Sequence, residues 1–403
     1  MKKLLAILLT VCLVVGIFAG CGGEKKQDDT AASDIKVGFI FLHDDKSTYD
    51  LNFMEAAKAA QAELGLSDDQ VIFVDSIDES VDCYNTAVDL VDQGCSVIFA
   101  DSFGHEEWMI KAAKEFPDVQ FSHATGVKAH TEGVENFHNA FATIFEGRFL
   151  AGVAAGMKLN EMIEEGTITP EQAVIGYVGA FPYAEVVSGY TSFFLGARYI
   201  CPSATMLVDF TNSWYAPDAE RDVANALMDR GCVLISQHAD SMGAPSACEA
   251  RNVPNISYNV STKETCPNTY IIASKINWTP YMVYMIKSVM DGEAYDTDWT
   301  GTIATGSVEL CELNEAAAAP GTAEKIEEVK GMLMDGSLKV FDTAAFTVGG
   351  ETLTTYLADV DDAGDFVGET EVISDGYFHE SEYRSAPYFD VNIDGITRLD
   401  LQK

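Results

Sequence analysis

From residue 35 to about residue 290, short apolar runs alternate with longer stretches of helical periodicity. Residues 35–42 and 97–100 are β-branched and aromatic runs of the kind that a sheet buries on both faces. Residues 52–64 place Phe53, Ala56, Ala57, Ala60 and Leu64 at helical spacing. Further strands are expected at 71–74, 119–123, 173–178, 206–210, 233–236, 256–258 and 270–273. Helices are expected up to Asp92 and over 108–116, 184–199, 217–229 and 280–290. Residues 139–157 read as one longer helix, because Phe141, Phe145, Phe149 and Val153 recur every four residues. Strand and helix alternating at this spacing give parallel sheets and an α/β fold.

An internal echo sets the architecture. Residues 92–102 (Asp-Gln-Gly-Cys-Ser-Val-Ile-Phe-Ala-Asp-Ser) resemble residues 229–241 (Asp-Arg-Gly-Cys-Val-Leu-Ile-Ser-Gln-His-Ala-Asp-Ser). Each is a helix end, a glycine, a strand and a polar loop. Two similar lobes explain the echo, although βαβ units also share turn chemistry by chance. Ligands of open parallel sheets sit beyond the carboxyl ends of the strands. Loops 101–104 and 237–241 then point into one cleft. The expected division is a first lobe of 35–150 and 275–310, and a second lobe of 151–274 and 311–403 that includes a C-terminal extension.

The ends place the chain outside the cytoplasm. Lys2 and Lys3 precede an apolar run over 4–18, then Ala19, Gly20 and Cys21. That is the anatomy of a secretory signal over 1–20, and the run is short of the ~20 residues that span a bilayer. Phe18-Ala-Gly-Cys21 resembles a bacterial lipobox, with Phe18 in place of the usual Leu, so Cys21 is the expected lipidation site. Residues 21–34 are small and polar and read as a flexible tether. A net charge of −38 argues against nucleic acid, whose phosphates it would repel. Of nine cysteines, seven fall in the body, with no C-x-x-C and no metal-type Cys/His cluster, so no metal and no disulfide is assigned. Cys95 and Cys232 open apolar strands, where cysteine behaves as a small hydrophobe.

Catalytic signatures are missing. There is no G-x-S-x-G, H-E-x-x-H, P-loop or G-x-G-x-x-G, which argues against an enzyme and a cofactor. His123, His238, Asp240 and Ser241 would otherwise suggest a hydrolase, and Ser188 falls within an expected helix. Gly152 and Gly156 mark a close approach of another element. More informative are aromatics just past strand ends: Tyr49, Phe103, Trp214 and Trp278. Each alone is more often packing. Four together suit the stacking of a flat ligand. Asp44 or Asp45, Asn52, Ser102, Asp240 and Asn259 are the polar candidates, with turn and N-cap duty as the alternative for Asp44, Asp45 and Ser102. His238 suits a ligand contact and a core histidine equally.

Residues 112–121, 145–156, 175–182, 194–198, 211–214 and 235–241 together resemble the basic membrane protein (BMP) family of ABC-transporter substrate-binding lipoproteins. The resemblance runs over most of the mature chain. It implies the type I periplasmic-binding fold, a cleft between two Rossmann-like lobes, hinge closure and docking on an ABC permease at the outer face of the cell membrane. Members of the family bind purine nucleosides or, in one branch, purine bases. The base-sandwiching positions match Thr48 or Tyr49 and Trp214. Where nucleoside binders carry Gly-x-Asp-Ser-Asp for the ribose, this chain reads Ser257-Tyr-Asn259-Val-Ser261. The resemblance therefore favours a purine-like heterocycle and leaves base or nucleoside open. A monomer is expected, and a sensor that presents its closed form to a membrane receptor is the alternative.

Overall fold

The computed structural model describes residues 35–360 and 367–402. The expected signal, the lipidation site Cys21 and the tether lie outside the described residues.

The first lobe starts with β1 (Val37–Ile40), α1 (Thr48–Leu64), β2 (Val71–Val74), α2 (Val81–Asp92), β3 (Val97–Ala100), α3 (Glu106–Glu115), β4 (Gln120–Ala124), a single turn α4 (Ala129–Glu132) and β5 (Phe137–Ala142). The second starts with α5 (Ile144–Glu164), β6 (Val174–Gly179), α6 (Ala184–Ile200), β7 (Thr205–Phe210), α7 (Pro217–Asp229), β8 (Leu234–Gln237), α8 (Gly243–Arg251), β9 (Asn255–Tyr258) and β10 (Tyr270–Ile276). The chain returns to the first lobe through α9 (Thr279–Asp291) and β11 (Asp298–Gly301), then crosses back to β12 (Val308–Leu310) and α10 (Thr322–Met334). One sheet has the order β11-β5-β4-β3-β1-β2 and the other β12-β10-β9-β8-β6-β7 plus one late strand. All main strands pair in parallel except β12, which runs antiparallel to β10. This is the expected α/β fold of two similar lobes.

Two expectations need correction. Residues 137–142 are strand β5, not the start of a helix, and the helix begins at Ile144. All six β5 residues are buried. A strand covered on both faces shows no alternation, so the four-residue spacing of Phe141 and Phe145 imitated a helix. Residues 308–310, grouped above with the first lobe, join the second sheet, because Val308 and Leu310 pair with Ile276 and Ser274.

The second lobe is stiffened by the contact of α5 with α6. A Cβ on Gly152 would lie 2.0 Å from the Phe193 carbonyl oxygen, and one on Gly196 would lie 2.0 Å from that of Phe149. The two helix backbones touch, which is why those positions are glycine.

After α10 the chain forms two small ribbons, β13 (Leu357–Ala358) with β14 (Thr370–Glu371) and β15 (Ile373–Ser374) with β16 (Tyr377–Phe378). It then adds β17 (Ile396–Arg398) to the edge of the second sheet beside β7. This extension also reaches the first lobe. Ser385 N donates to both Asp298 carboxylate oxygens (3.2 and 3.1 Å) and His130 Nε2 donates to Val360 O (2.8 Å).

Candidate ligand-binding site

Strands β1, β3, β7 and β8 all end at the cleft, so the loops that follow them meet there. Leu42, His43, Tyr49, Asp50, Ser102, Phe103 and Thr125 from the first lobe line a pocket with Glu185, Trp214, His238 and Asp240 from the second. The lobes touch beside it. Thr48 N and Oγ1 both donate to Asp240 O (2.9 and 3.1 Å), and Asp240 N donates to Trp214 O (2.9 Å).

On the first-lobe side, Ser47 caps α1 by accepting from Asp50 N. The Asp50 carboxylate accepts from His43 N (2.8 Å) and Ser47 Oγ (2.5 Å). Burial would raise its pKa, but hydrogen bonds from His43 and Ser47 outweigh burial and hold it below the usual carboxylate range. Asp101 is fully buried, and burial, followed by the negative charge of Asp50, pushes its carboxyl well above that range. Tyr49 donates its hydroxyl to Asp101 O (2.7 Å) and sets its ring edge-on to Phe53 (4.9 Å). Ser102 Oγ donates to Glu79 Oε1 (2.6 Å), which also takes Gly104 N (2.8 Å) and so fixes the loop that carries Phe103.

On the second-lobe side, Trp214 packs edge-on against Phe181 at 5.0 Å. Arg148, a buried residue of the first turns of α5, donates to Gln237 O (3.0 Å) and to His238 Nδ1 (3.1 Å), and its guanidinium lies 3.2 Å from the Tyr258 ring centre. His238 Nε2 donates to Glu185 Oε1 (3.0 Å). These partners assign the proton to Nε2, and burial keeps the imidazole pKa low, so His238 is neutral. Asp240 is 4% exposed, and its carboxylate has no hydrogen-bond partner among the described residues. Burial, then the charges of Glu220, Asp50 and Glu185, push its pKa well above the usual range.

Of the residues singled out from sequence, Tyr49, Ser102, Phe103, Trp214, His238 and Asp240 line this pocket. The other five do not. Asp45 is exposed on the loop before α1. Thr48 is buried and spent on the contact with Asp240. Asn52 faces the hinge and donates to Ile276 O (2.8 Å). Asn259 is buried with a positive φ of 65°, its N–H donating to Ser274 O. Trp278 is 1% exposed and stacked on Phe53 at 4.4 Å, a core side chain where the hinge turns into α9. Sequence reasoning missed His43, Asp50, Glu185 and Arg148. Asp50 adjoins Tyr49, and Glu185 opens the helix after β6, so the rule of strand carboxyl ends could have found both.

Two lobes of parallel sheet with a pocket walled by both define a bilobal binding protein. The chain belongs to the Bmp family, ABC transporter substrate-binding protein PnrA-like, whose model matches residues 41–337. It is an ABC-transporter substrate-binding protein of that extracytoplasmic family. It is similar to a purine-binding protein of Brucella abortus, 30% identical over 338 residues that cover 83% of this chain and 89% of the relative. It is also 32% identical, over 62% of this chain and 60% of the relative, to a Haloferax volcanii protein provisionally described as an ABC transporter glucose-binding protein. An ABC-transporter solute-binding protein from Conexibacter woesei shares the fold, with a TM-score of 0.61, 18% identity and coverage of 76% of this chain and 98% of that one.

Proposed function

We propose that this protein is a lipid-anchored receptor that stacks a purine, as base or nucleoside, between its lobes and delivers it to an ABC permease. The observation that carries the reading is the convergence of Tyr49 and Phe103 from one lobe and Trp214 from the other on a pocket that Asp240 also lines. Flat aromatic faces hold a flat heterocycle. Base stacking is worth ~1–3 kcal/mol per base. The Asp50 and Glu185 carboxylates accept hydrogen bonds, and Asp240 accepts through its carbonyl oxygen, so the ligand edge that meets them carries N–H groups. The purine-binding relative supports the same choice. Closure over the ligand is a hinge motion, and the closed form is what the permease receives. Residues 1–20 are removed, Cys21 carries the lipid, 21–34 act as a tether, and the receptor works as a monomer.

A second reading, a sugar ligand, draws on the glucose-named relative. A thermal-shift screen of the mature protein separates the two. A ligand at about 100 times its Kd adds about 2.7 kcal/mol of stability. A shift with adenine or guanine or their nucleosides supports the purine, and a shift with glucose alone overturns it. For the anchor, Cys21→Ala moves the protein from the detergent phase to the aqueous phase. Unchanged partition rejects lipidation.

A further inference from the structure

The family match ends at residue 337, yet the chain continues and returns to the mouth of the cleft. There it builds a second compartment beside the first, and Phe103, Thr125, Glu185 and Trp214 line both. Its inner wall adds Tyr183 and Ala184, and its outer wall is Asp359, Arg384, Tyr388 and Asp390 of the extension. It is the larger of the two spaces.

The chemistry of this compartment differs from that of the inner pocket. Phe103 and Tyr183 leave 38% and 45% of their surface uncovered, although their rings meet across the cleft at 5.5 Å. Large aromatics this exposed beside a binding pocket offer faces to something that arrives. Glu185, which takes His238 Nε2, Asp390, which takes the Tyr356 hydroxyl, and Asp359 place carboxylates around them. The Arg384 guanidinium is committed to the carbonyls of Ala386 (3.1 Å) and Pro387 (3.2 Å), so it shapes the wall. Acceptors beside aromatic faces suit a ring with hydroxyls on its edges and C–H groups on its face. A phosphate would be repelled by three carboxylates. The wall is held to the first lobe by the Asp298–Ser385 and His130–Val360 contacts and to the second by β17, so the compartment is complete when the lobes are together.

We propose that the C-terminal extension forms an outer subsite that takes a polyhydroxyl substituent, the pentose of a nucleoside, on a heterocycle stacked in the inner pocket. This rests on the purine reading above. It gives the ribose a site other than the Asn259 region, which does not line the cleft pocket.

The test is titration calorimetry of the mature protein with adenine, adenosine, 2′,3′-dideoxyadenosine and adenosine monophosphate. The expected order is adenosine tighter than dideoxyadenosine by about tenfold, one or two charge-assisted hydrogen bonds, with the monophosphate weakest. Ala184→Trp fills the outer compartment from α6, and D359N/D390N removes two carboxylate charges at nearly the same side-chain size. Both are expected to weaken adenosine about tenfold while adenine is held as before. Adenine binding with no adenosine binding overturns the outer subsite alone. So does equal loss of adenine and adenosine in both variants, or indifference of adenosine to both. If neither adenine nor adenosine binds the unaltered protein, the purine reading falls and this inference with it.

Discussion

Replacing Trp214 with Ala removes one face of the inner pocket and little else. The indole is half-buried on the loop between β7 and α7, packed edge-on against Phe181 and 6.0 Å from Tyr183. Its carbonyl, which accepts from Asp240 N, is backbone and survives the substitution. The folding cost should therefore fall below the 3–5 kcal/mol of a fully buried aromatic truncation. The binding cost is the lost stack, ~1–3 kcal/mol, which corresponds to roughly 5- to 150-fold in Kd. Trp214→Phe keeps an aromatic face and should recover most of that loss. Calorimetric titration with adenine reads the affinity, and urea unfolding of the same samples reads the fold. An Ala variant that binds within about twofold of the parent while equally stable would refute the stacking argument, because a face worth ~1 kcal/mol or more cannot vanish without trace.

Asp240→Asn should weaken adenine by about two- to tenfold, the loss of one hydrogen bond worth ~0.5–1.5 kcal/mol, while the ligand-free protein becomes no less stable on losing a crowded buried carboxyl. A parallel loss of stability and affinity would point to a structural role. Burial raises the Glu380 carboxyl from 4.5 to about 7, so the folded state holds its proton more tightly than the unfolded state. Stability from this group is full below about pH 4.5 and is lost as pH rises through 7, by about 3 kcal/mol. Urea midpoints of Glu380→Gln should fall less than those of the parent between pH 5 and pH 8, and parallel profiles would contradict this. Gly152→Ala drives a methyl into the Phe193 carbonyl and should cost about 1–3 kcal/mol in chemical denaturation without changing adenine affinity in the stable fraction. Six of the seven body cysteines are buried, and half-buried Cys311 has its thiol pushed up to about 11, so a thiol reagent should label the native protein slowly, at Cys311 first. Rapid labelling of several thiols would contradict the packing.

Local physics made much of this protein legible from its residues. Alternating apolar runs and helical stretches dictate parallel sheets, and the repeated Gly-Cys-strand-Asp-Ser unit dictates two lobes. From those, the rule that ligands sit beyond strand carboxyl ends leads to Tyr49, Phe103, Trp214, His238 and Asp240. Periodicity failed where burial erased it. Strand β5 is covered on both faces and carries no alternating signal. Trp278 follows a strand as the others do, but the direction of the hinge turns it into the core beside Phe53.

The residues in order thus determined the fold class, the doubled architecture and half of the pocket, because strand, helix and turn preferences act over a few neighbours. Only the tertiary structure decided that Arg148 orients His238 from 90 residues away. It alone decided that Thr48 meets Asp240 across the cleft and that the extension after residue 337 returns to wall its mouth. Those contacts join segments far apart in the chain. Their geometry is set by how whole lobes pack, and no local pattern carries it.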